Sequence, residues 1–178
     1  HPPNQNAKSK PHAGPSAADV KAALRLLEDA RTVFLTGHAR PDGDSIGSEL
    51  ALGSWLMRRG KQVTIGNVDP VPQKYRFLPG ADRIITTKRV EGRFDLAVTL
   101  ECSSLERAGN IIDPATQAGA LLNIDSHLHH GDYGTVNIID SSASSTGEQV
   151  YDLMRAAGAA PTREEAIALY TSIVTDTG

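Results

Sequence analysis

The sequence predicts an α/β domain built on a doubly wound, mainly parallel sheet with helices on both faces. Three observations predict it. Candidate strands such as VFLT, LAVTL and ALLNI are continuous apolar runs, the pattern of strands covered on both sides, rather than the alternation of a half-exposed sheet. These runs alternate with stretches whose apolar residues recur at helical spacing. Ionisable residues then crowd directly behind the runs, where open α/β sheets hold their ligands. With 178 residues, 39% of them hydrophobic, the chain has the material for one domain of ordinary size.

Residues 1–15, HPPNQNAKSKPHAGP, carry prolines and polar side chains but no apolar core, and read as a disordered tail or a cloning remnant; the ordered domain is expected over residues 16–178. A first helix begins at Ser16, with Asp19 at capping-box spacing and Val20, Ala23, Leu24 and Leu27 on one face. RTVFLT is a buried strand bounded by Gly37. From Ser45 the period turns helical, with Ile46, Leu50, Gly53 and Met57 on one face, Asp44 or Ser45 as the cap and Gly60 as the stop. QVTIGN is the second strand, DPVPQKYRFLPG a proline-punctuated loop, FDLAVTL the third strand, ALLNI the fourth and TVNII the fifth. A helix follows from Ser145, its face formed by Val150, Leu153, Met154 and Ala157, and another from Thr162, with Glu165 at capping-box distance.

Composition narrows the function. A net charge of −3 gives no overall positive field for a long polyanion, which leaves a small phosphorylated substrate steered by local cations such as Arg40, Lys74, Arg76 and Arg107. No run approaches the roughly 20 apolar residues of a membrane span, and no apolar signal core is present. The single cysteine, Cys102, rules out an internal disulfide and reads as a small buried filler; a cytoplasmic, reducing setting is expected. There is no P-loop, no G-x-G-x-x-G after the first strand and no G-x-S-x-G elbow.

The candidate chemistry sits behind the strands. His38, Asp42 and Asp44 follow VFLT, Glu101 follows LAVTL, Asp125, Ser126 and His127 follow LLNI, and Asp176 lies near the end. Pro41-Asp42-Gly43-Asp44 alone reads first as turn chemistry. His38 adds a metal-ligand reading, since imidazole with carboxylates suits Mn²⁺ or a similar divalent ion better than a thiolate cage suits structural zinc. Glu101 is either such a ligand or a surface acid paired with Arg107. Asp125 is a turn cap or a site residue, and His127, His129 and His130 are a solvated cluster or further ligands. Ser145 and Glu148 read as a capping box, whose exposed N–H groups could also meet a phosphate.

These stretches resemble a known family. GHARPDGDSIGSELAL resembles the first signature of the DHH phosphoesterase superfamily, His-x-x-x-Asp-x-Asp before a small-residue helix start. FDLAVTLECSSLERAG resembles its second signature, NIDSHLHHGDYGTVNIIDSSASSTGEQVYDLM its third and LYTSIVTDTG its fourth, in order from Val33 to Gly178. The wording is similar to the bacterial nano-RNase/pAp-phosphatase group. The resemblance implies hydrolysis of very short single-stranded RNAs and of 3′-phosphoadenosine 5′-phosphate (pAp), with two Mn²⁺ ions and Mg²⁺ as a substitute. It implies that His38 and Asp42 hold one ion, Asp44 and Asp176 the other, and Glu101 bridges both, at a position where most relatives carry aspartate. His127 falls to the substrate phosphate, with Asp125 in the catalytic group and Arg107 binding substrate. Ser126 replaces the first histidine of the Asp-His-His motif, a metal ligand, so a weakened second site and slow or absent turnover are expected. The family also implies a homodimer and a smaller carboxyl-terminal substrate domain beyond this chain. Alternatives are a catalytically disabled nucleotide-binding module, and a dinucleotide phosphodiesterase or pyrophosphatase-like hydrolase.

Overall fold

The computed structural model describes residues 14–127 and 132–177; the expected tail lies almost wholly outside them. Six strands form one sheet: β1 (Thr32–Gly37), β2 (Gln62–Asn67), β3 (Ile85–Thr86), β4 (Phe94–Leu100), β5 (Ala118–Asp125) and β6 (Val136–Ile139). Their order is β3-β2-β1-β4-β5-β6 and every pairing is parallel, so the doubly wound α/β fold is observed. The winding reverses between β1 and β4, where an open parallel sheet leaves its ligand crevice. Register sets what lines that crevice. Gly37 pairs with Leu100 and Leu100 with Ile124, so the next residues along, His38, Glu101 and Asp125, emerge together at one edge.

The helices are α1 (Ala17–Asp29), α2 (Gly43–Arg58), α3 (Pro114–Gln117), α4 (Thr146–Ala156) and α5 (Arg163–Thr177). Ser16 caps α1 by accepting the Asp19 N–H at 3.1 Å. Thr162 and Glu165 form the full reciprocal box at the start of α5, each side chain accepting the other's N–H at 3.2 Å. Gly60 ends α2 at φ 85°, a left-handed turn that glycine adopts without steric cost. Two predictions about α2 are corrected. Its cap is Asp42, not Asp44 or Ser45, and the Asp42 carboxylate accepts the Ser45 N–H at 2.8 Å. It is also buried nearly all round rather than on one face, because α5 covers its outer side.

The two faces are covered unevenly. Val33, Leu35, Leu96, Val98, Leu122 and Ile124 point to one side of the sheet, where they pack with α1, α2, α4 and α5. Phe34, Ala97 and Leu121 point to the other side and meet Val90, Cys102, Ala108, Ile111 and Ile112. The winding explains the asymmetry. A right-handed β4-to-β5 crossover runs opposite in direction to the α2 crossover and must cover the opposite face. That connection carries Gly109 and Asn110 at positive φ, then Pro114, and it coils, with only the four-residue α3 helical. β3 and α3 carry no periodic signal and were not anticipated.

Candidate metal centre

The first wall of the crevice is the β1–α2 loop. Gly37 is required there by close approach, since a Cβ would lie 2.3 Å from Ser45 Oγ and 3.1 Å from the Leu100 carbonyl. His38 follows. Its Nδ1 is 2.7 Å from the Ala39 carbonyl, which can only accept, so the ring donates from Nδ1 and turns Nε2 inward. Nε2 lies 3.3 Å from Glu101 Oε2 and 3.5 Å from Asp42 Oδ2. One ligand atom from each of His38, Asp42 and Glu101 falls within 4.8 Å of the others.

Glu101 is 4% exposed and holds φ 56°, a left-handed conformation unfavourable for a glutamate, pinned by its N–H to the Ile124 carbonyl at 3.0 Å. Burial pushes its carboxyl up to about 9, His38 opposes this, and the negative charges of Asp44 and Asp42 reinforce it. The His38 imidazole is raised to about 11 by its hydrogen bonds to Asp42 and then Glu101, which outweigh its partial burial. Burial also pushes Asp42 upward, but hydrogen bonds with His38, Glu101 and the Ser45 N–H together hold it well below the usual carboxylate range. Two crowded carboxylates thus stabilise a proton on the histidine between them. A divalent cation would satisfy the same three atoms, and an imidazole nitrogen with two carboxylate oxygens fits Mn²⁺ or Mg²⁺ chemistry.

The remaining predicted residues fall out as follows. Asp44 is 1% exposed and stands outside this trio; its carboxylate accepts the Thr146 N–H at 3.0 Å, the Gly147 N–H at 3.1 Å and the Ser172 hydroxyl. It joins α2 to the starts and sides of α4 and α5, so the α4 N–H groups meet a carboxylate of the protein itself. Asp125 is fully buried, and its Oδ1 accepts the His127 Nδ1–H at 2.6 Å and the Ser126 N–H at 2.8 Å. This fixes the ring of the half-exposed His127, while Asp125 Oδ2 has no hydrogen-bond partner among the described residues. The Glu101–Arg107 surface pair is not observed, since Glu101 is buried against His38. Arg107 is exposed, and its carbonyl accepts the Ala39 N–H beside the site. Burial pushes the Cys102 thiol up to about 12, consistent with a filler. His129, His130 and the Asp176 side chain lie outside the described residues.

Two functional candidates were missed in the sequence. Glu49 and Asn67 are both 0% exposed behind His38, and burial pushes the Glu49 carboxyl up to about 8. The available signal was an acid amid the apolar residues of α2, in SIGSELAL, and a polar residue closing the second strand, QVTIGN.

Comparison with known proteins decides the family. The DHH family, N-terminal domain, matches residues 32–173, from β1 into α5. The chain belongs to the DHH family. The bifunctional oligoribonuclease and PAP phosphatase NrnA of Thermus thermophilus is 33% identical over 159 residues, covering 89% of this DHH chain and 47% of that protein. The protein of the same name from Bacillus subtilis is 31% identical, over 87% of this chain and 49% of its own. The chain therefore spans about half the length of these curated relatives. Among solved structures, an exopolyphosphatase-related protein from Bacteroides fragilis superposes with a TM-score of 0.86 at 28% identity, covering 92% of this chain and 51% of that one. Exonuclease RecJ bound to manganese shares the fold, with a TM-score of 0.53 at 15% identity over 93% of this chain and 45% of that one.

Among the described residues, the donor set brings together the ligands for one cation. His38, Asp42 and Glu101 are assembled, whereas Asp44 is engaged with α4 and α5, and Ser126 brings a neutral hydroxyl where an imidazole was expected. A hydroxyl is a much weaker ligand for these ions than imidazole.

Proposed function

We propose that this DHH-family domain is the catalytic part of a metal-dependent phosphoesterase acting on very short single-stranded RNAs and on pAp. The observation that carries the proposal is the His38–Asp42–Glu101 trio at the point where the sheet's winding reverses. The relatives named as oligoribonucleases and PAP phosphatases support the substrate class. Mn²⁺ is the proposed ion, with Mg²⁺ as a substitute, and the remaining half of the relatives' length is the proposed place of a substrate-holding domain. A cytoplasmic setting and a homodimer belong to the same reading. No helix among the described residues is long and apolar enough to cross a membrane.

When bound, a divalent ion supplies charge to phosphoryl oxygens and acidifies water at neutral pH. The chain's own residues then have distinct tasks. Asp42 and Glu101 bring negative charge to balance a cation, and His38 offers the Nε2 lone pair once its proton leaves. Asp125 holds His127 by Nδ1, leaving its Nε2 to carry a proton to the leaving oxygen or to hold a phosphate. The Arg107 carbonyl accepts the Ala39 N–H beside the trio, which supports a role for its guanidinium in steering an anionic nucleotide.

Ser126 favours a second reading, a module that holds nucleotide without turning it over. Hydrolysis of pAp and of dinucleotides, with and without Mn²⁺, by the wild type and by Ser126→His separates the two. Mn²⁺-dependent release of AMP or mononucleotides by the wild type supports the phosphoesterase. Nucleotide binding with no turnover by either protein supports the module, and a wild type that neither binds nor hydrolyses rejects both.

A further inference from the structure

Directly behind the trio runs a buried polar chain that ligates nothing. The β1–β2 ladder ends at Leu35↔Ile65, two residues before Gly37. Beyond that point a side chain takes over: Asn67 Oδ1 accepts the Gly37 N–H at 3.0 Å and lies 3.5 Å from Thr36 Oγ1. Because Gly37 can only donate there, the Asn67 amide nitrogen is turned the other way, and it donates to Glu49 Oε2 at 3.3 Å. The Thr36–Gly37 peptide, next to His38, is thereby tied through Asn67 to α2, the helix that Asp42 caps.

The arrangement is unfavourable for stability alone. Among the described residues Glu49 Oε1 has no hydrogen-bond partner, and neither has Ser45 Oγ one turn earlier on the same helix. Both crowd Gly37, at 3.6 Å and 2.3 Å from where its Cβ would stand. An apolar side chain of similar length would fill this place in the core without leaving a buried oxygen bare. A buried polar group that costs stability yet fixes the backbone beside a ligand is the arrangement expected of a ligand's supporting shell.

We propose that Glu49 and Asn67 are positioning residues, which hold the Thr36–Gly37 peptide next to His38 so that the imidazole meets Asp42 and Glu101 at ligating distance, and that they do so against the stability of the fold. This rests on the metal reading of the trio.

The test compares wild type, Glu49→Met, Glu49→Gln and Asn67→Ala by Mn²⁺ titration calorimetry and by metal-free thermal unfolding. Glu49→Met keeps the length and removes the oxygens; its Mn²⁺ dissociation constant should rise about 10–100-fold, while its metal-free Tm holds or rises. Glu49→Gln keeps an acceptor for Asn67 and should bind Mn²⁺ near the wild-type strength. Asn67→Ala should weaken Mn²⁺ binding as Glu49→Met does. Unchanged affinity in Glu49→Met and Asn67→Ala overturns the inference. So does a Glu49→Met protein that loses Tm in step with affinity or fails to fold, because that is a plain structural role. A Glu49→Gln protein as weak as Glu49→Met overturns it too, since charge and not the hydrogen bond would then matter. If the wild type itself binds no Mn²⁺, the metal reading fails first, and the inference with it.

Discussion

Asp42 carries two duties that different substitutions pull apart. Its carboxylate caps α2 through the Ser45 N–H at 2.8 Å and also stands 3.5 Å from His38 Nε2. Asparagine caps a helix about as well as aspartate but is a neutral, weaker ligand. Asp42→Asn keeps the cap and gives up only the pairing with His38, so it should lower the Tm less than Asp42→Ala does while weakening Mn²⁺ binding by roughly 10–100-fold. Asp42→Ala should lose the same affinity and about 1 kcal/mol of stability with the cap. Calorimetric titration and thermal melts of the two variants check this, and equal Tm losses in both would show that the cap does not act as drawn. The three residues of the trio were legible because each follows an apolar run, and for the buried Glu101 an unpaired charge requires a partner. Asp44 was legible only as an acid. Its partners, Thr146, Gly147 and Ser172, lie more than a hundred residues along the chain, and no local spacing announces them.

Among the elements, α2 is the one whose surroundings matter most. It lies between the sheet and α5, and its glycines permit that closeness: a Cβ on Gly47 would stand 2.4 Å from the Ala168 carbonyl and 2.9 Å from Ser172 Cβ. Backbone cannot yield as a flexible side chain does, so Gly47→Ala should cost about 1–3 kcal/mol through overpacking, read as a lower denaturation midpoint. The Asp44 clasp gives a companion prediction. Asp44→Ala leaves the Thr146 N–H without its acceptor and the Gly147 N–H with Ser172 Oγ alone, and loss of buried pairing costs about 1–3 kcal/mol. Amide hydrogen exchange should then quicken at the start of α4 before it does in β4. The helix starts were readable in detail, because Ser16–Asp19 and Thr162–Glu165 are self-contained capping signals. The all-round burial of α2 was not, since a one-faced apolar pattern cannot reveal a second helix that docks through glycines and serines. β3 and α3 were invisible for the opposite reason, being two and four residues long and held by pairing and a turn rather than by periodicity.

At the scale of the whole molecule the site couples folding to pH and to metal. The unfolded chain releases protons from glutamate near 4.5 and from histidine near 6.5, whereas in the fold Glu101 holds its proton to about 9, Glu49 to about 8 and His38 to about 11. From pH 6.5 to about 8 the metal-free fold therefore binds more protons than the unfolded chain at all three groups. Stability falls as pH rises wherever the native state is the more protonated. For His38, the contribution is full below 6.5 and is lost as pH rises through about 11. For the two acids, the folded state loses ground from 4.5 upward, until they ionise in the fold as well. Asp42 acts in the opposite sense, with its contribution present above 3.8 and lost as the solution becomes more acidic. The metal-free Tm should accordingly decline from pH 6.5 to 8. A divalent ion competes for the positions these protons occupy on His38 and Glu101, so its binding tightens as pH rises, and a ligand stabilises the fold in proportion to the logarithm of its concentration over its dissociation constant. The Tm increase produced by a fixed Mn²⁺ concentration should thus be larger at pH 8 than at pH 6.5, and the Asp42→Asn variant should show little increase at either. Thermal melts over that range measure both slopes. A Mn²⁺ increment that shrinks with rising pH would mean that the ion does not displace protons from His38 and Glu101 and sits elsewhere on the molecule.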